Sequence, residues 1–343
     1  AEDGIRDQPR SRGLGDVYKR QVYNLNGRRD NIHKARIKII VNQLGIDRYR
    51  ELVDQEFDRI KGNARGIPEA EIQRIKAYFA PPEYEELPDF TDKLSALRLA
   101  DKAFDLWMSS NVAEHKIEGY AIVNLTLKAP DRVPGDITAT AMDAVADLAD
   151  EYSLGEMRVN HRQNLVFVDV KQVDLHSLWQ KLGLLELATP NLGQLTDMIT
   201  CPGLDYCNLA NARSIPVAQD INKHFVDVDR LVAIGDFTVN ISGCMNACGH
   251  HHVGNVGILG VDKHGTEFFQ LTLGGSSDEG ASLGDRLGRA LPQEEVPAAI
   301  EAIVDTYMDI REDDERFLDT YRRIGMVPFK EAVYGSADTK VVA

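Results

Sequence analysis

The N-terminal third of the chain carries apolar residues at helical spacing, interrupted by turn-forming stretches. Residues 31–61 repeat apolar side chains every three or four positions, and Gly45 predicts a break between two helices. Residues 62–92 are rich in Gly, Pro and Glu and predict a linker, whereas residues 94–110 predict another helix. Residues 1–21 show no apolar periodicity, so we expect a non-native joined segment or a disordered arm.

The middle of the chain has the pattern of a small α/β domain. Apolar and polar residues alternate over residues 120–128, which predicts a strand. Residues 137–152 predict a helix, and Asp136 is its expected N-cap. Residues 158–161 and 164–170 predict a hairpin or one bent strand, and residues 175–182 predict a helix. This order is typical of a ferredoxin-like α+β unit.

The C-terminal part predicts a second, mixed α/β domain. A helix is expected over residues 208–225, a strand over residues 237–241, and a hairpin from residues 256–261 and 267–273. Residues 294–325 are helical in pattern and rich in charge, as a solvated closing pair of helices would be. We therefore expect the α+β class, with a ferredoxin-like α/β sandwich followed by a mixed α/β domain.

These patterns divide the chain into five segments. The expected segments are the N-terminal arm, a helical segment with a linker, the ferredoxin-like domain, the mixed α/β domain and a tail, over residues 1–21, 22–92, 93–190, 191–335 and 336–343.

Composition narrows the classes of function. The 343 residues include 54 acidic and 39 basic side chains, a net charge of −15, which disfavours a nucleic-acid partner. No apolar run approaches the roughly 18 residues typical of a membrane span, and no secretory signal is evident at the start. Only four cysteines are present, all clustered, which favours metal binding over a disulfide framework. We therefore expect a cytoplasmic protein without a membrane partner.

The cysteines form two tight pairs. Cys201 and Cys207 are separated by five residues, and Cys244 and Cys248 by three. Four thiolates fit a [4Fe–4S] cluster, in which each iron takes one cysteine sulfur. Structural zinc sites more often use shorter spacings, so the pattern favours iron–sulfur binding and leaves zinc as the alternative.

Glycines and histidines surround these pairs. We expect three glycines to adopt positive φ and let the backbone approach a bulky cofactor closely: Gly203, Gly243 and Gly249. Three consecutive histidines, at residues 250–252, could supply a metal site, but neighbouring residues rarely point at one ion. We therefore expect a structural role for them.

Residues around the second pair resemble the sirohaem and [4Fe–4S] signature of the nitrite and sulfite reductase family. The resemblance rests on Ser242, Gly243, Cys244 and Cys248, followed by a small apolar strand. The sequence departs from that signature at Asn255, where the family has an acidic residue. Two further segments are similar to the family, at residues 158–170 and 201–218.

The resemblance extends over residues 22–335 and implies the second half of a longer protein. Members of the family consist of two related halves around one active site, and the first half carries most basic residues that bind the oxyanion. We therefore expect this chain to be inactive alone. The mixed α/β domain would be the one that binds the [4Fe–4S] cluster and sirohaem.

The resemblance also implies roles for individual residues. The four cysteines would ligate the cluster, and Cys248 would in addition bridge to the sirohaem iron. Three further residues match cofactor-facing positions: Arg162, Gln163 and Asn246. Each has an alternative as a solvated strand residue, a turn cap or a loop-stabilising amide, respectively.

The implied reaction is the six-electron reduction of a small oxyanion. We expect sulfite reduction to sulfide, with nitrite reduction to ammonia as the alternative. The electron donor would be an NADPH-dependent flavoprotein subunit or a ferredoxin. Two hypotheses from other functional classes stay open. The chain could be a haem-free iron–sulfur electron-transfer module or a structural domain stabilised by zinc.

Overall fold

The computed structural model describes residues 15–61, 67–88 and 90–335, and within them 13 helices and nine strands. A boundary between Glu83 and Tyr84 separates two compact units. None of the helices in these ranges is long and apolar enough to cross a membrane. The tail expected at residues 336–343 lies outside the described residues, as do residues 1–14.

The first unit is helical. Its helices are α1 Gly15–Asn26, α2 Ile37–Leu44, α3 Ile46–Ile60 and α4 Glu69–Tyr78. Gly45 separates α2 from α3 with φ +78°, which confirms the predicted break. A small core joins α1, α2 and α3 through Val22, Ile40 and Tyr49. The Tyr49 hydroxyl also donates to the Lys19 carbonyl oxygen at 3.0 Å.

Two helices in this unit were not predicted. Residues 15–21 form the start of α1, because Tyr18 packs edge-on against the Phe57 ring at 5.3 Å, a contact that local periodicity cannot reveal. Helix α4 lies inside the predicted linker and buries no side chain. The apolar repeat that usually signals a helix is therefore weak there.

The second unit begins with the ferredoxin-like domain, and its α+β class is as predicted. Its first two helices are α5 Thr91–Ala100 and α6 Lys102–Asn111. They are followed by the strands β1 Val112–Glu114 and β2 Tyr120–Leu125. The rest of the domain is α7 Ala139–Tyr152, β3 Met157–Val159, β4 Leu165–Lys171 and α8 Leu175–Leu184. Neighbouring strands are antiparallel in the order β1-β2-β4-β3. The helices cover one face over a core that includes Trp107, Val123, Val145, Phe167 and Leu178.

Two helix boundaries in this domain differ from prediction. The single helix expected over residues 94–110 is two helices, because the Asp101 carboxylate caps α6 by accepting from the Ala103 and Phe104 N–H groups. The N-cap of α7 is Thr138, whose hydroxyl accepts from the Ala141 N–H at 3.2 Å. Asp136 lies before the helix.

The cysteine-containing domain has a mixed sheet. Its first elements are β5 Ile199–Thr200, α9 Ser214–His224, α10 Val228–Ile234, β6 Val239–Ser242 and β7 Val256–Lys263. The remaining elements are β8 Thr266–Leu273, β9 Asp285–Arg286, α11 Val296–Ile310, α12 Phe317–Ile324 and α13 Val327–Tyr334. The strand order is β5-β6-β7-β8-β9, with β5, β6 and β7 parallel and the rest antiparallel.

The hairpin of β7 and β8 is confirmed. Lys263 pairs with Thr266, so His264 and Gly265 form a two-residue turn with φ of +57° and +82°. Helix α9 begins at Ser214, later than predicted, because the preceding residues belong to the cysteine loop. Three helices close the chain within the described residues, where two were predicted.

The position of the α7 N-cap can be tested by substitution. We expect Thr138→Ala to lower the free energy of unfolding by about 1 kcal/mol, because it leaves the Ala141 N–H without its side-chain acceptor. The matched change Asp136→Ala should have a smaller effect. Urea unfolding of both variants measures the difference, and a larger loss for Asp136→Ala would contradict this capping.

Candidate functional site

The two cysteine loops meet at the carboxyl ends of neighbouring strands in the second sheet. Strands β5 and β6 run parallel, with Thr200 opposite Ile241, so their carboxyl ends point the same way. Cys201 directly follows β5, and its N–H extends the ladder by donating to the Ile241 carbonyl oxygen at 3.1 Å. Cys244 follows the end of β6 by two residues. In open α/β sheets ligands bind at the carboxyl ends of the strands, and here those ends carry both cysteine loops.

The Cys201 sulfur contacts two polar groups of the chain itself. The Gly243 N–H donates to Cys201 Sγ at 3.0 Å, and the Ser214 hydroxyl lies 3.5 Å from the same sulfur. Donors directed at sulfur are the contacts that tune the potential of a cluster thiolate. The thiols of Cys201 and Cys244 are buried, that of Cys207 is half-buried, and that of Cys248 is exposed.

The backbones of the two cysteine loops are in direct contact. The Gly243 carbonyl oxygen accepts from the Asn211 and Ala212 N–H groups at 2.8 and 3.1 Å. A Cβ on Gly243 would lie 2.6 Å from the Ala212 carbonyl oxygen, and one on Gly203 would lie 2.5 Å from the Ser214 nitrogen. No side chain fits between the loops at these positions.

Gly249 is confined in the same way. Its N–H donates to the Ser242 hydroxyl at 3.1 Å, and a Cβ there would collide with the Ile241 carbonyl oxygen. The expected positive φ is confirmed for Gly203, at +59°, and is wrong for Gly243 and Gly249. These two glycines are required by close packing against the chain's own backbone rather than by a left-handed conformation.

Gln163 contacts the strand that leads into Cys201. It lies in the turn between β3 and β4 with φ +61°. Its amide donates to the Thr200 carbonyl oxygen at 2.8 Å and accepts from the Thr200 N–H at 2.9 Å. Arg162 lies in the same turn, between the two short strands.

Arg162 and Asn246 differ in their surroundings. Arg162 Nε lies 3.4 Å from Asp197 Oδ2, without hydrogen-bond geometry. Asn246 is exposed between Cys244 and Cys248. The structure thus brings Gln163 and Arg162 to the segment before Cys201 and places Asn246 in the second cysteine loop.

Sequence reasoning missed a buried ion pair beside this turn. Lys128 Nζ and Asp197 Oδ1 lie 2.6 Å apart, and both side chains are fully buried. Burial lowers the pKa of Lys128, and the Asp197 carboxylate partly offsets this effect. Asp197 also accepts from the Asn164 side chain at 2.9 Å and from the Gly193 N–H at 3.0 Å. Lys128 ends the predicted strand as an ordinary polar position, so only tertiary structure reveals its partner.

The consecutive histidines do not converge. His251 is buried, and burial lowers its pKa to about 4. Its ring packs against the His252 ring with centroids 3.9 Å apart and the ring planes tilted by 42°. Within the described residues, no three His, Cys, Asp or Glu side chains are grouped to hold one metal ion.

Exposed apolar side chains surround the cysteine loops. The exposed fraction is 81% for Tyr206 and 80% for Met245, which lie within the first and second loops. Leu204 and Leu209 are also exposed in or beside the first loop. Such a group of exposed apolar side chains marks a surface suited to a bulky ligand or another protein segment.

Two family models match the chain. The model described as the nitrite and sulphite reductase 4Fe-4S domain matches residues 194–341, which include all four cysteines. The model described as the nitrite/sulfite reductase ferredoxin-like half domain matches residues 124–185.

Individual proteins agree with these models. Sulfite reductase [ferredoxin] 2 of Mycolicibacterium paratuberculosis is 24% identical over 83% of this chain and 46% of that protein. The ferredoxin–nitrite reductase of Synechococcus elongatus is 28% identical over 83% of this chain and 48% of that protein. The structure of the Mycobacterium tuberculosis NirA protein matches with a TM-score of 0.57 and 25% identity, over 88% of this chain and 50% of that one. The chain therefore spans about half the length of these relatives.

The confinement of Gly249 can be tested. We expect Gly249→Ala to destabilise the chain by about 1–3 kcal/mol or more, because the added methyl group forces the second cysteine loop away from β6. Gly183→Ala is the matched control, since a Cβ there meets nothing within 4 Å. That control should be neutral or stabilising by up to about 1 kcal/mol. Equal effects in chemical unfolding would contradict the packing argument.

The buried pair gives a second prediction. Asp197→Ala should cost about 3–5 kcal/mol, because it leaves the Lys128 ammonium buried without its counterion. Glu151→Ala, which removes the partner of Lys181 in an exposed and solvent-screened pair, should cost much less. Urea unfolding measures both. A loss for Asp197→Ala as small as that for Glu151→Ala would show that the pair is not buried in solution.

Proposed function

The chain belongs to the nitrite and sulfite reductase family, and we propose that it holds the [4Fe–4S] cluster of a sirohaem-dependent reductase. The ligands in this proposal are Cys201, Cys207, Cys244 and Cys248. The observation that carries it is the position of both cysteine loops at the carboxyl ends of two adjacent parallel strands. The 4Fe-4S domain match over residues 194–341 supports the same assignment.

The donor set fits such a cluster. Four thiols supply one sulfur for each of four irons. The two buried thiols, of Cys201 and Cys244, would lie on the protein side of the cluster, shielded from water. The Gly243 N–H already points at Cys201 Sγ and needs no rearrangement to stabilise a negatively charged sulfur.

Sirohaem binding is a further part of the proposal. Cys248 is the exposed thiol, and Met245 and Tyr206 present exposed apolar side chains in the two cysteine loops. These groups suit one face of a macrocycle, and Asn246 adds an amide able to donate to a carboxylate. In this proposal Cys248 would hold the sirohaem iron in addition to ligating the cluster. When bound, the two groups together supply one-electron transfer to the substrate.

Arg162 is the charged side chain that we assign to the cofactor side. Its guanidinium is about one quarter exposed, and its Nε has no hydrogen-bond partner within the described residues. Asp197 lies close enough to hold the guanidinium in place without using all of its donors. The free donors could then bind a carboxylate of the macrocycle.

The proposed reaction is the six-electron reduction of sulfite to sulfide. Nitrite reduction to ammonia is the second candidate, and the likeness to the Synechococcus elongatus nitrite reductase supports it. Both relatives are named for ferredoxin, so we propose a ferredoxin as the electron donor. An NADPH-dependent flavoprotein is the alternative donor.

Turnover requires more than these 343 residues in this proposal. The curated relatives are about twice as long as the matched part, and the family builds its active site from two halves. We therefore expect the isolated chain to bind its cluster but not to reduce sulfite or nitrite. Turnover by this chain with an artificial reductant would contradict that expectation.

The role of Cys248 gives a sharp test in a protein that contains this chain together with the family's other half. We expect Cys248→Ser to lose the cluster and to change the haem absorption bands, because the shared thiolate is removed. Cys207→Ser should lose the cluster while sirohaem remains bound.

Anaerobic absorption spectra and iron analysis of both variants provide the measurement. Steady-state rates of the wild type with sulfite and with nitrite decide between the two substrates. A Cys248→Ser variant with the wild-type iron content and haem bands would refute the bridging assignment.

A further inference from the structure

Strand β5 is the first strand of its sheet, so it pairs with β6 on one side and with no strand on the other. In a parallel pair, alternate residues direct both backbone groups to the same neighbour. Cys201 directs its N–H to Ile241 of β6, so the N–H and C=O of Thr200 point to the free edge. Unpaired groups at such an edge would be costly in a buried setting, and Thr200 is buried.

Gln163 satisfies both of these groups. Its side-chain amide donates to the Thr200 carbonyl oxygen at 2.8 Å and accepts from the Thr200 N–H at 2.9 Å. This pair of bonds is what the N–H and C=O of one residue in a neighbouring antiparallel strand would make. The amide therefore stands in for a strand beside the last residue before Cys201.

We propose that Gln163 is a positioning residue for Cys201 and thereby for the iron–sulfur cluster. This inference rests on the proposed function, in which Cys201 is a cluster ligand. Gln163 fixes the N–H and C=O of Thr200, and the next peptide carries the thiol. Its amide bonds both backbone groups of Thr200, and in this proposal it acts on the cluster through Cys201.

The turn that carries Gln163 is held rigidly. The Asn160 side chain accepts from the N–H groups of Arg162 and Asn164, both at 3.0 Å. Gln163 itself has φ +61°, and Gly135 packs against its side chain, where an added Cβ would lie 3.1 Å from Gln163 Cβ. The side chain thus reaches Thr200 from a fixed base.

The neighbours of Gln163 grip the same segment. Asn164 donates to Asp197 at 2.9 Å, and Arg162 approaches the same carboxylate at 3.4 Å. The Lys128 ammonium bonds both Asp197 and the Arg162 carbonyl oxygen. Three consecutive turn residues of the ferredoxin-like sheet therefore hold residues 197–200, which lead directly into the first cluster ligand.

The test variant is Gln163→Asn in the whole chain, loaded with its cluster without oxygen. Asn tolerates the left-handed conformation at this position but is one carbon too short to reach Thr200. Gln163→Met is the second variant, because it keeps the length and removes the amide. The matched control is Gln172→Asn, since the Gln172 amide also contacts a strand carbonyl, that of Tyr120, far along the sheet from the cysteine loops.

We expect both Gln163 variants to bind iron and sulfide as the wild type does but to lose iron to a chelator about tenfold faster, the ratio that 1.4 kcal/mol represents. Their reduced clusters should also show an altered electron paramagnetic resonance spectrum, which a purely structural loss elsewhere would not produce. Gln172→Asn should match the wild type in both measurements.

Two outcomes separate this inference from the proposed function. Wild-type rates and spectra in both Gln163 variants, with a cluster present, would overturn the positioning role alone. A wild-type chain that binds no iron or sulfide would overturn the proposed function, and the positioning role would fall with it.

Discussion

The parallel pairing of β5 with β6 is the constraint on which the site depends. Thr200 lies opposite Ile241, so both strands deliver their following loops to one edge of the sheet. The Gly243 N–H then reaches Cys201 Sγ at 3.0 Å, which links the first cysteine loop to the second. Cysteine loops that are distant in sequence come into contact because hydrogen bonds fix the strand register, and a slip of one residue would turn the side chains to the other face.

Polar contacts inside the second unit hold the segment that leads into the first cysteine loop. The turn between β3 and β4 contacts residues 197–200 through Gln163, Asn164 and the Lys128–Asp197 ion pair. Buried charges are costly unless they are paired and hydrogen-bonded, and Asp197 meets this condition with several donors. The ferredoxin-like sheet therefore does more than add a core, since it fixes the segment from which the first cysteine loop begins.

Much of the fold and part of the candidate site could be predicted from the sequence, because they depend on local patterns of residues. The cysteine spacing, the hairpin of β7 and β8 and the ferredoxin-like order of elements follow from short-range periodicity and turn chemistry. The pairing of Gln163 with Thr200 and of Lys128 with Asp197 could not, since each joins residues far apart in the chain. The sequence predicts a positive φ at Gly249, whereas the structure requires a glycine there because the Ile241 carbonyl oxygen leaves no room for a side chain. Such crowding leaves no local pattern in the sequence.

A combined assay of iron, zinc and acid-labile sulfide, with a visible absorption spectrum, on the chain purified without oxygen shows directly whether the four thiols hold an iron–sulfur cluster. We expect a coloured protein with iron and sulfide in equal amounts, one of each for every thiolate. A colourless protein with one zinc ion and no sulfide would contradict this expectation and would indicate a structural metal site.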